Sequence, residues 1–262
     1  MWQPDGWAFR ARLGLLVPHG DVGPESEVAV MVPEGVSVHA TRVPIGLMRP
    51  GGVMDPTIEL EPVRAFAEPP QVDDAAELLA AAPLHAIGYA FTSSSYVRAP
   101  ADDETLRERL EERTRGIPVA ITGTSAVLAL RALGASRLAL IDPPWFSPEL
   151  NAMGAEYFRG HGFAVVHHAP AGLPSDQRAV HPGQLYDWAR AHVPAEAEAV
   201  FIGGNGFRTV GVIEALEEDL AIPVLTANQV LCWHLLRLAG TRALVVGYGR
   251  LFARPLTTQL VP

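Results

Sequence analysis

Ala86-Ile87-Gly88-Tyr89-Ala90-Phe91-Thr92 and Ala199-Val200-Phe201-Ile202-Gly203-Gly204-Asn205 decide the fold, because they are two versions of one pattern. Each is a short apolar run that breaks into small polar residues. Each is followed at matching distance by a second shared stretch. Gly116-Ile117-Pro118-Val119 leads through Ser125 and Leu130-Arg131-Ala132-Leu133-Gly134 to Arg137-Leu138-Ala139-Leu140. Ala221-Ile222-Pro223-Val224 leads through Gln229 and Leu236-Arg237-Leu238-Ala239-Gly240 to Arg242-Ala243-Leu244-Val245, with spacings that differ by one residue. Two copies are too few for a solenoid. They predict an α/β protein of two similar lobes with parallel sheets, related by a pseudo-twofold axis, the alternative being a chance likeness between two ordinary αβ units. The loops at 91–95 and 204–208 then face each other across an interlobe cleft.

Working outward, apolar runs predict strands at Leu13–Val17, Val36–Val43, Ala86–Ala90, Val119–Thr122, Arg137–Ile141, Ala164–His168, Ala199–Gly203, Pro223–Thr226 and Ala243–Gly247. Helices are expected between them, at Ala126–Leu133, Glu149–Gly160, Gly183–Ala191, Val210–Leu220 and Val230–Leu238. Another runs from caps at Asp102 and Asp103 to Arg115, with acids first and arginines last. Residues 49–72, with five prolines and little periodicity, read as a long covering segment. The first lobe is expected to span residues 1–120 plus 230–262, and the second 121–229.

Composition narrows the chemistry. Of 262 residues, 48% are hydrophobic and 19% charged, the balance of a soluble globular chain. All 20 basic residues counted as Lys+Arg are arginines, which excludes Schiff-base chemistry and a phosphate-gripping P-loop lysine. A single cysteine, Cys232, excludes an intrachain disulfide, a cysteine-rich zinc cluster and a two-thiol mechanism. A net charge of −9 argues against a nucleic-acid partner. No apolar run approaches a membrane span; Leu13–Val17 stops at Pro18 and is too short for a signal-peptide core. A cytoplasmic location is expected.

Three loops could carry chemistry. Thr92-Ser93-Ser94-Ser95 follows a buried strand, where open α/β sheets place ligands, and offers hydroxyl and backbone donors; equally it could be a structural serine-rich turn. Gly203-Gly204-Asn205-Gly206 would let an anion approach the backbone. Pro18-His19-Gly20-Asp21 brings a histidine and a carboxylate close enough for acid–base work, unless His19 is solvated and Asp21 merely caps a turn. His167 and His168 lack a third ligand at metal spacing, so no metal site is expected. Cys232 reads as a packed helix residue, with Trp233 on the same buried face, and Glu214–Asp219 as a solvated one.

The chain resembles the aspartate/glutamate racemase superfamily, in its maleate cis-trans isomerase and arylmalonate decarboxylase branch. The likeness lies in Leu13–Pro18 with Glu25 and Glu27, Ala90–Ser95, Gly116–Val119 to Ser125-Ala126, Asn228-Gln229 with Trp233, and Gly247-Tyr248-Gly249-Arg250-Leu251-Phe252. It implies two Rossmann-like lobes with a cofactor-free site between them, acting beside the carboxylate of a small acid or across the adjacent double bond, with one or two cysteines facing the cleft. Those two positions fall on Phe91 and Gly204, and Cys232 matches neither. Asp21 stands where the family has an asparagine, and Trp145 where it has a tyrosine.

What survives is the anion-holding part. Thr92, Ser93, Ser95, Gly204, Asn205 and Gly206 are expected to bind the substrate, with Pro18, Phe91 and Trp145 as walls and Asp21 or His19 moving the proton. This reads as a cofactor-independent lyase or isomerase working through an enediolate-like intermediate on a small-molecule carboxylate, with self-association into a homo-oligomer left open. Alternatives are a carboxylate-binding homologue without turnover, or a hydrolase or hydratase in which Asp21 or His19 activates water.

Overall fold

The apolar runs form two four-stranded parallel sheets, as a chain of alternating strands and helices should. The computed structural model describes residues 6–241, apart from 47, 50 and 52, and residues 244–254. The first half runs β1 (Ala11–Pro18), α1 (Gly23–Met31), β2 (Val36–Val43), β3 (Met48–Arg49), β4 (Val53–Met54), α2 (Leu60–Ala65), α3 (Gln71–Leu79), β5 (Ala86–Tyr89), α4 (Thr92–Tyr96), α5 (Pro100–Arg113), β6 (Val119–Ile121) and α6 (Thr122–Ala132). The second runs β7 (Arg137–Asp142), α7 (Pro148–Gly160), β8 (Ala164–Pro170), α8 (Pro182–His192), β9 (Ala199–Ile202), α9 (Ile213–Leu220), β10 (Val224–Thr226), α10 (Ala227–Leu238) and α11 (Arg250–Ala253).

The sheets have orders β2-β1-β5-β6 and β10-β9-β7-β8, which is one topology written from opposite ends. The ladders align the copies residue by residue. Leu13 pairs with Ala86 as Leu138 pairs with Ala199. Ile87 pairs with Val119 as Val200 pairs with Val224. Phe91 and Gly204, each five residues beyond its anchor alanine, therefore occupy equivalent strand-end positions. The inner strands β5 and β9 are buried along their whole length, whereas the edge strand β2 is mostly half-exposed.

Helix α10 opens with a reciprocal cap, Thr226 N–H to Gln229 Oε1 (3.2 Å) and Gln229 N–H to Thr226 Oγ1 (3.4 Å). It packs against α6 and against β1, β5 and β6 of the first sheet. Ser125 of α6 meets His234 of α10 at 2.9 Å in that contact, where burial pulls the imidazole down to about 4 and keeps it neutral.

Four expectations change. Of the strand expected at Ala243–Gly247, Ala243 lies outside the described residues and residues 244–247 are not a strand; Leu244 and Val246 stand exposed, with no strand paired to them among the described residues. The covering segment at 49–72 is built, with the β3–β4 hairpin and α2 inside it and α3 beginning at Gln71. Helix α5 starts at Pro100, because Asp102 reaches back to accept the Ala99 N–H (2.9 Å), while Asp103 is buried and caps nothing. The acidic run on α9 is not wholly solvated either. Glu217 is buried and accepts the N–H groups of Val224 (3.0 Å) and Arg250 (2.8 Å).

Candidate active site

The carboxyl ends of six parallel strands converge on one narrow cavity of about 30 Å³, in the position where α/β sheets bind ligands. Pro18 and Asp21 follow β1, Phe91, Thr92 and Ser93 follow β5, Trp145 and Phe146 follow β7, and Gly204, Asn205 and Gly206 follow β9. Gln177 arrives from beyond β8. Ile45, Met48, Met54 and Ile58 close the space from the segment after β2. That cover is tied across to the second sheet's loops, by Ile58 N–H to the Trp145 carbonyl (2.9 Å) and by the Ser175 hydroxyl to the Pro56 carbonyl.

Asp21 is the acid of the cavity. It is only 3% exposed, and burial pushes its carboxyl up to about 6, against the pull of the Gly23 N–H and the Arg42 guanidinium. Its Oδ1 is fixed by the Gly23 N–H at 2.9 Å. Arg42 binds the backbone carbonyl of Asp21 and the Glu25 carboxylate, so its charge is largely engaged elsewhere. The other oxygen, Oδ2, points over Gly206. A β-carbon on Gly206 would lie 2.8 Å from that oxygen and 2.2 Å from Gln177 Nε2. Acid and amide thus share the space a side chain at 206 would fill.

His19 goes elsewhere. Its ring is exposed, and Nδ1 accepts the Ile45 N–H at 3.1 Å outside the cavity lining. The reason is geometric: the chain turns sharply after Pro18, with Asp21 N–H bonded to the Pro18 carbonyl (3.0 Å), and the two side chains leave on different sides.

The expected donors divide in a way local sequence does not show. Thr92–Tyr96 is a short helix rather than a loop. Asn205 Oδ1 accepts both the Thr92 N–H (2.8 Å) and the Thr92 hydroxyl (2.7 Å). Asn205 Nδ2 donates to Asn228 Oδ1 (2.9 Å) and Thr122 Oγ1 (3.3 Å). The side chains of Thr92 and Asn205 therefore bolt the two strand-end loops together. Asn228 continues the bolt to Glu27 Oε2 (2.8 Å), and Glu27 Oε1 accepts the N–H groups of Thr209 (2.6 Å) and Val210 (3.1 Å). Ser95 turns away from the cavity to Asp103 (3.0 Å). Ser93 lines the cavity, and among the described residues neither its hydroxyl nor the N–H groups of Gly204, Asn205 and Gly206 find an acceptor.

Removing the bolt should be costly. Asn205→Ala leaves a buried Thr92 N–H without a partner, and an equilibrium urea titration should show a loss of about 2–4 kcal/mol. His19→Ala, at an exposed position, should stay within about 0.5 kcal/mol of the parent.

The walls are apolar. Phe91 packs on Phe66 with ring centroids 4.3 Å apart, and Trp145 meets Phe207 edge-on at 5.7 Å. Gly204 has φ +79°, and a β-carbon there would lie 2.1 Å from Pro143 Cγ. The loop is built for glycine at that point. Cys232 is fully buried in α10, where burial pushes its thiol well above the usual range. Among the described residues no cluster of three His, Cys, Asp or Glu side chains is placed to hold a metal, and no helix is long and apolar enough to cross a membrane.

This geometry has named counterparts. The profile of the arylmalonate decarboxylase family matches residues 13–252. The chain belongs to that family. It is 28% identical over 166 residues to the arylmalonate decarboxylase of Bordetella bronchiseptica, covering 62% of this chain and 68% of that one. It is 26% identical over 260 residues to the maleate isomerase of Nocardia farcinica, covering 92% and 94%. The solved Nocardia farcinica maleate cis-trans isomerase holding a covalently bound succinylcysteine intermediate superposes with a TM-score of 0.79 at 25% identity, over 92% of this chain and 98% of that one. The maleate isomerase of Pseudomonas putida with maleate gives 0.79 at 20% identity, over 93% and 98%, a likeness of fold. These relatives are enzymes of the decarboxylase and isomerase type. In this chain the strand ends after β5 and β9 carry Phe91 and Gly204, and the single thiol lies in a helix outside the cavity lining.

Gln177, Phe146 and the four cover residues were not legible in the sequence. Gln177 sits in an irregular stretch with no periodic signal; only its place after β8, the counterpart of the cover-bearing segment after β2, could have pointed to it.

Proposed function

We propose that this protein is a cofactor-independent lyase or isomerase that moves a proton at the α-carbon of a small carboxylic acid, with Asp21 as the acid–base group. The observation that carries this reading is Asp21 itself, a buried carboxyl in the lining of an apolar cavity, with one oxygen anchored by the Gly23 N–H and the other over Gly206 beside the Gln177 amide. An acid–base group works best when its pKa lies near the working pH, and burial has moved Asp21 to about 6.

The substrate carboxylate would be met by the Ser93 hydroxyl and the N–H groups of the 204–206 loop, with Gln177 beside it. These donors would strengthen their hold as charge moves onto the carboxylate oxygens in an enediolate-like intermediate. In a decarboxylation, the electrons of the breaking C–C bond pass into that enediolate, carbon dioxide leaves, and protonated Asp21 delivers its proton to the α-carbon. In an isomerisation at a saturated α-carbon, Asp21 takes the α-proton, the C–H electrons pass into the enediolate, and the proton returns to the other face of the same carbon. Phe91, Trp145, Phe146 and the methionine cover would exclude water and so make each charge–dipole contact count for more. His19 is set aside as the proton carrier because it lies outside the lining.

A panel of maleate and substituted malonates, followed by proton NMR in buffered solution, tests the reading. Turnover should show a pH limb near 6 that descends with rising pH if Asp21 acts as acid and ascends if it acts as base. Ligand-induced thermal stabilisation without product from any member would assign the chain to binding alone. A thiol reagent should leave activity intact, and Cys232 should react stoichiometrically only after denaturation; rapid modification with inhibition would return the thiol to the mechanism.

A further inference from the structure

A second buried carboxylate stands behind the cavity, and the activity just proposed does not use it. Asp142, the last residue of β7, is 0% exposed, and no arginine or histidine forms an ion pair with it among the described residues. Its Oδ1 accepts the hydroxyl of Tyr96, the last residue of α4, at 3.2 Å. The same oxygen presses on Gly203, where a β-carbon would come within 2.3 Å of it. Its Oδ2 accepts Asn151 Nδ2 at 2.8 Å, and Asn151 Oδ1 in turn meets His168 Nδ1 at 2.7 Å. One oxygen therefore touches both segments that supply ligand donors, α4 with Ser93 and the 203–206 loop.

The fold does not require an acid there. The ladder alignment that matches Leu13 with Leu138 places Val17 at the end of β1 as the counterpart of Asp142. Val17 is fully buried, so the first sheet builds the same strand end from a hydrocarbon. A buried carboxylate without a cation is expensive, so packing alone does not account for an acid at this position. Burial pushes Asp142 up to about 7, in keeping with that cost.

We propose that Asp142 is a positioning residue that locks α4 and the 203–206 loop into one rigid donor array. It touches no cavity surface, and acts on the substrate only through Tyr96 and Gly203. This rests on the proposed function for its catalytic meaning, although the mechanical coupling can be measured without any substrate.

Hydrogen–deuterium exchange on the full chain, in the parent, Asp142→Val, Asp142→Asn and Tyr96→Phe, separates a lock from a packing residue. Asp142→Val copies the first lobe's side chain but leaves the buried Tyr96 hydroxyl and Asn151 amide without their acceptor, so it should fold with a Tm a few degrees below the parent's. Its hydrogen-bonded amides in α4, together with those of Gly203 and Phe207, should exchange about tenfold faster, both segments together, while β1 and β5 remain unchanged. Asp142→Asn keeps an acceptor for Tyr96 and should recover part of the protection. Tyr96→Phe, which leaves the carboxylate in place, should loosen α4 most. In turnover of phenylmalonate or maleate, the Val variant should lower kcat about tenfold with KM within twofold, because the donors are needed most in the transition state. Parent-like protection of both segments in Asp142→Val, or loosening of α4 alone, would overturn the coupling. If the parent turns over neither acid while Asp142→Val still loosens both segments together, the proposed function falls and the lock stands.

Discussion

Asp21→Asn should abolish turnover, by 10²–10⁴-fold, in a protein that is no less stable than the parent at pH 8. The size of the catalytic loss is the usual contribution of a positioned acid–base group, and an amide cannot exchange protons in its place. The stability side follows from linkage. A folded-state pKa of about 6 against an ordinary 3.8 means that the native protein binds this proton more tightly than the unfolded chain does. Stability from this group is therefore full below about pH 4 and falls as pH rises through 6. By pH 8 the ionised, buried carboxylate costs about 3 kcal/mol relative to the protonated form. Asparagine retains the Oδ1 acceptor for the Gly23 N–H and carries no charge, so part of that cost should be recovered. Thermal melts of parent and variant from pH 4 to 8 should diverge as the pH rises from about 4 to 6.5 and keep a constant gap above that, with the variant higher. Asp142 contributes in the same direction and His234 in the opposite one, which is why the difference between the two proteins is the informative quantity.

Gly204→Cys is the second large effect, and it should be a loss. The family resemblance makes this substitution look like the return of an absent thiol. The geometry opposes it. Any side chain at 204 must adopt φ +79° and place its β-carbon 2.1 Å from Pro143 Cγ, closer than atoms can approach. The left-handed backbone alone costs about 1–3 kcal/mol, and displacement of the proline ring or of the loop adds to it. We expect a total destabilisation of about 3–5 kcal/mol by urea titration, together with displacement of the 204–206 donors. Combining it with Pro143→Ala removes the ring and should restore about half of the loss. Parent-like stability in Gly204→Cys would mean that the loop has room for a side chain, and that its glycine is incidental.

The two lobes were legible because parallel strands buried on both faces must be continuous apolar runs, and because the same strand, loop and helix recur twice. That repeat also matches Phe91 with Gly204, and the ladders give the two residues equivalent strand-end positions on one cavity. The run at 243–247 misled because apolar composition does not ensure a neighbouring strand; Leu244 and Val246 have none among the described residues and stand exposed. Hydrogen-bond partners were the least legible part. Thr92 and Asn205 lie 113 residues apart, and nothing local distinguishes a threonine that greets a ligand from one already held by an asparagine. The same holds for His19 and Asp21, two residues apart with opposite exposures, and for Gln177, which enters the cavity only through the path of an irregular loop.

The central claim is that Asp21 exchanges a proton with the α-carbon of a bound carboxylic acid. Its most direct test is proton NMR of maleate and phenylmalonate incubations in deuterium oxide, with the parent and Asp21→Asn side by side. The account predicts deuterium on the carbon adjacent to the carboxylate in the product or recovered substrate of the parent, and none above background with Asp21→Asn. Equal deuterium incorporation by both proteins would contradict it.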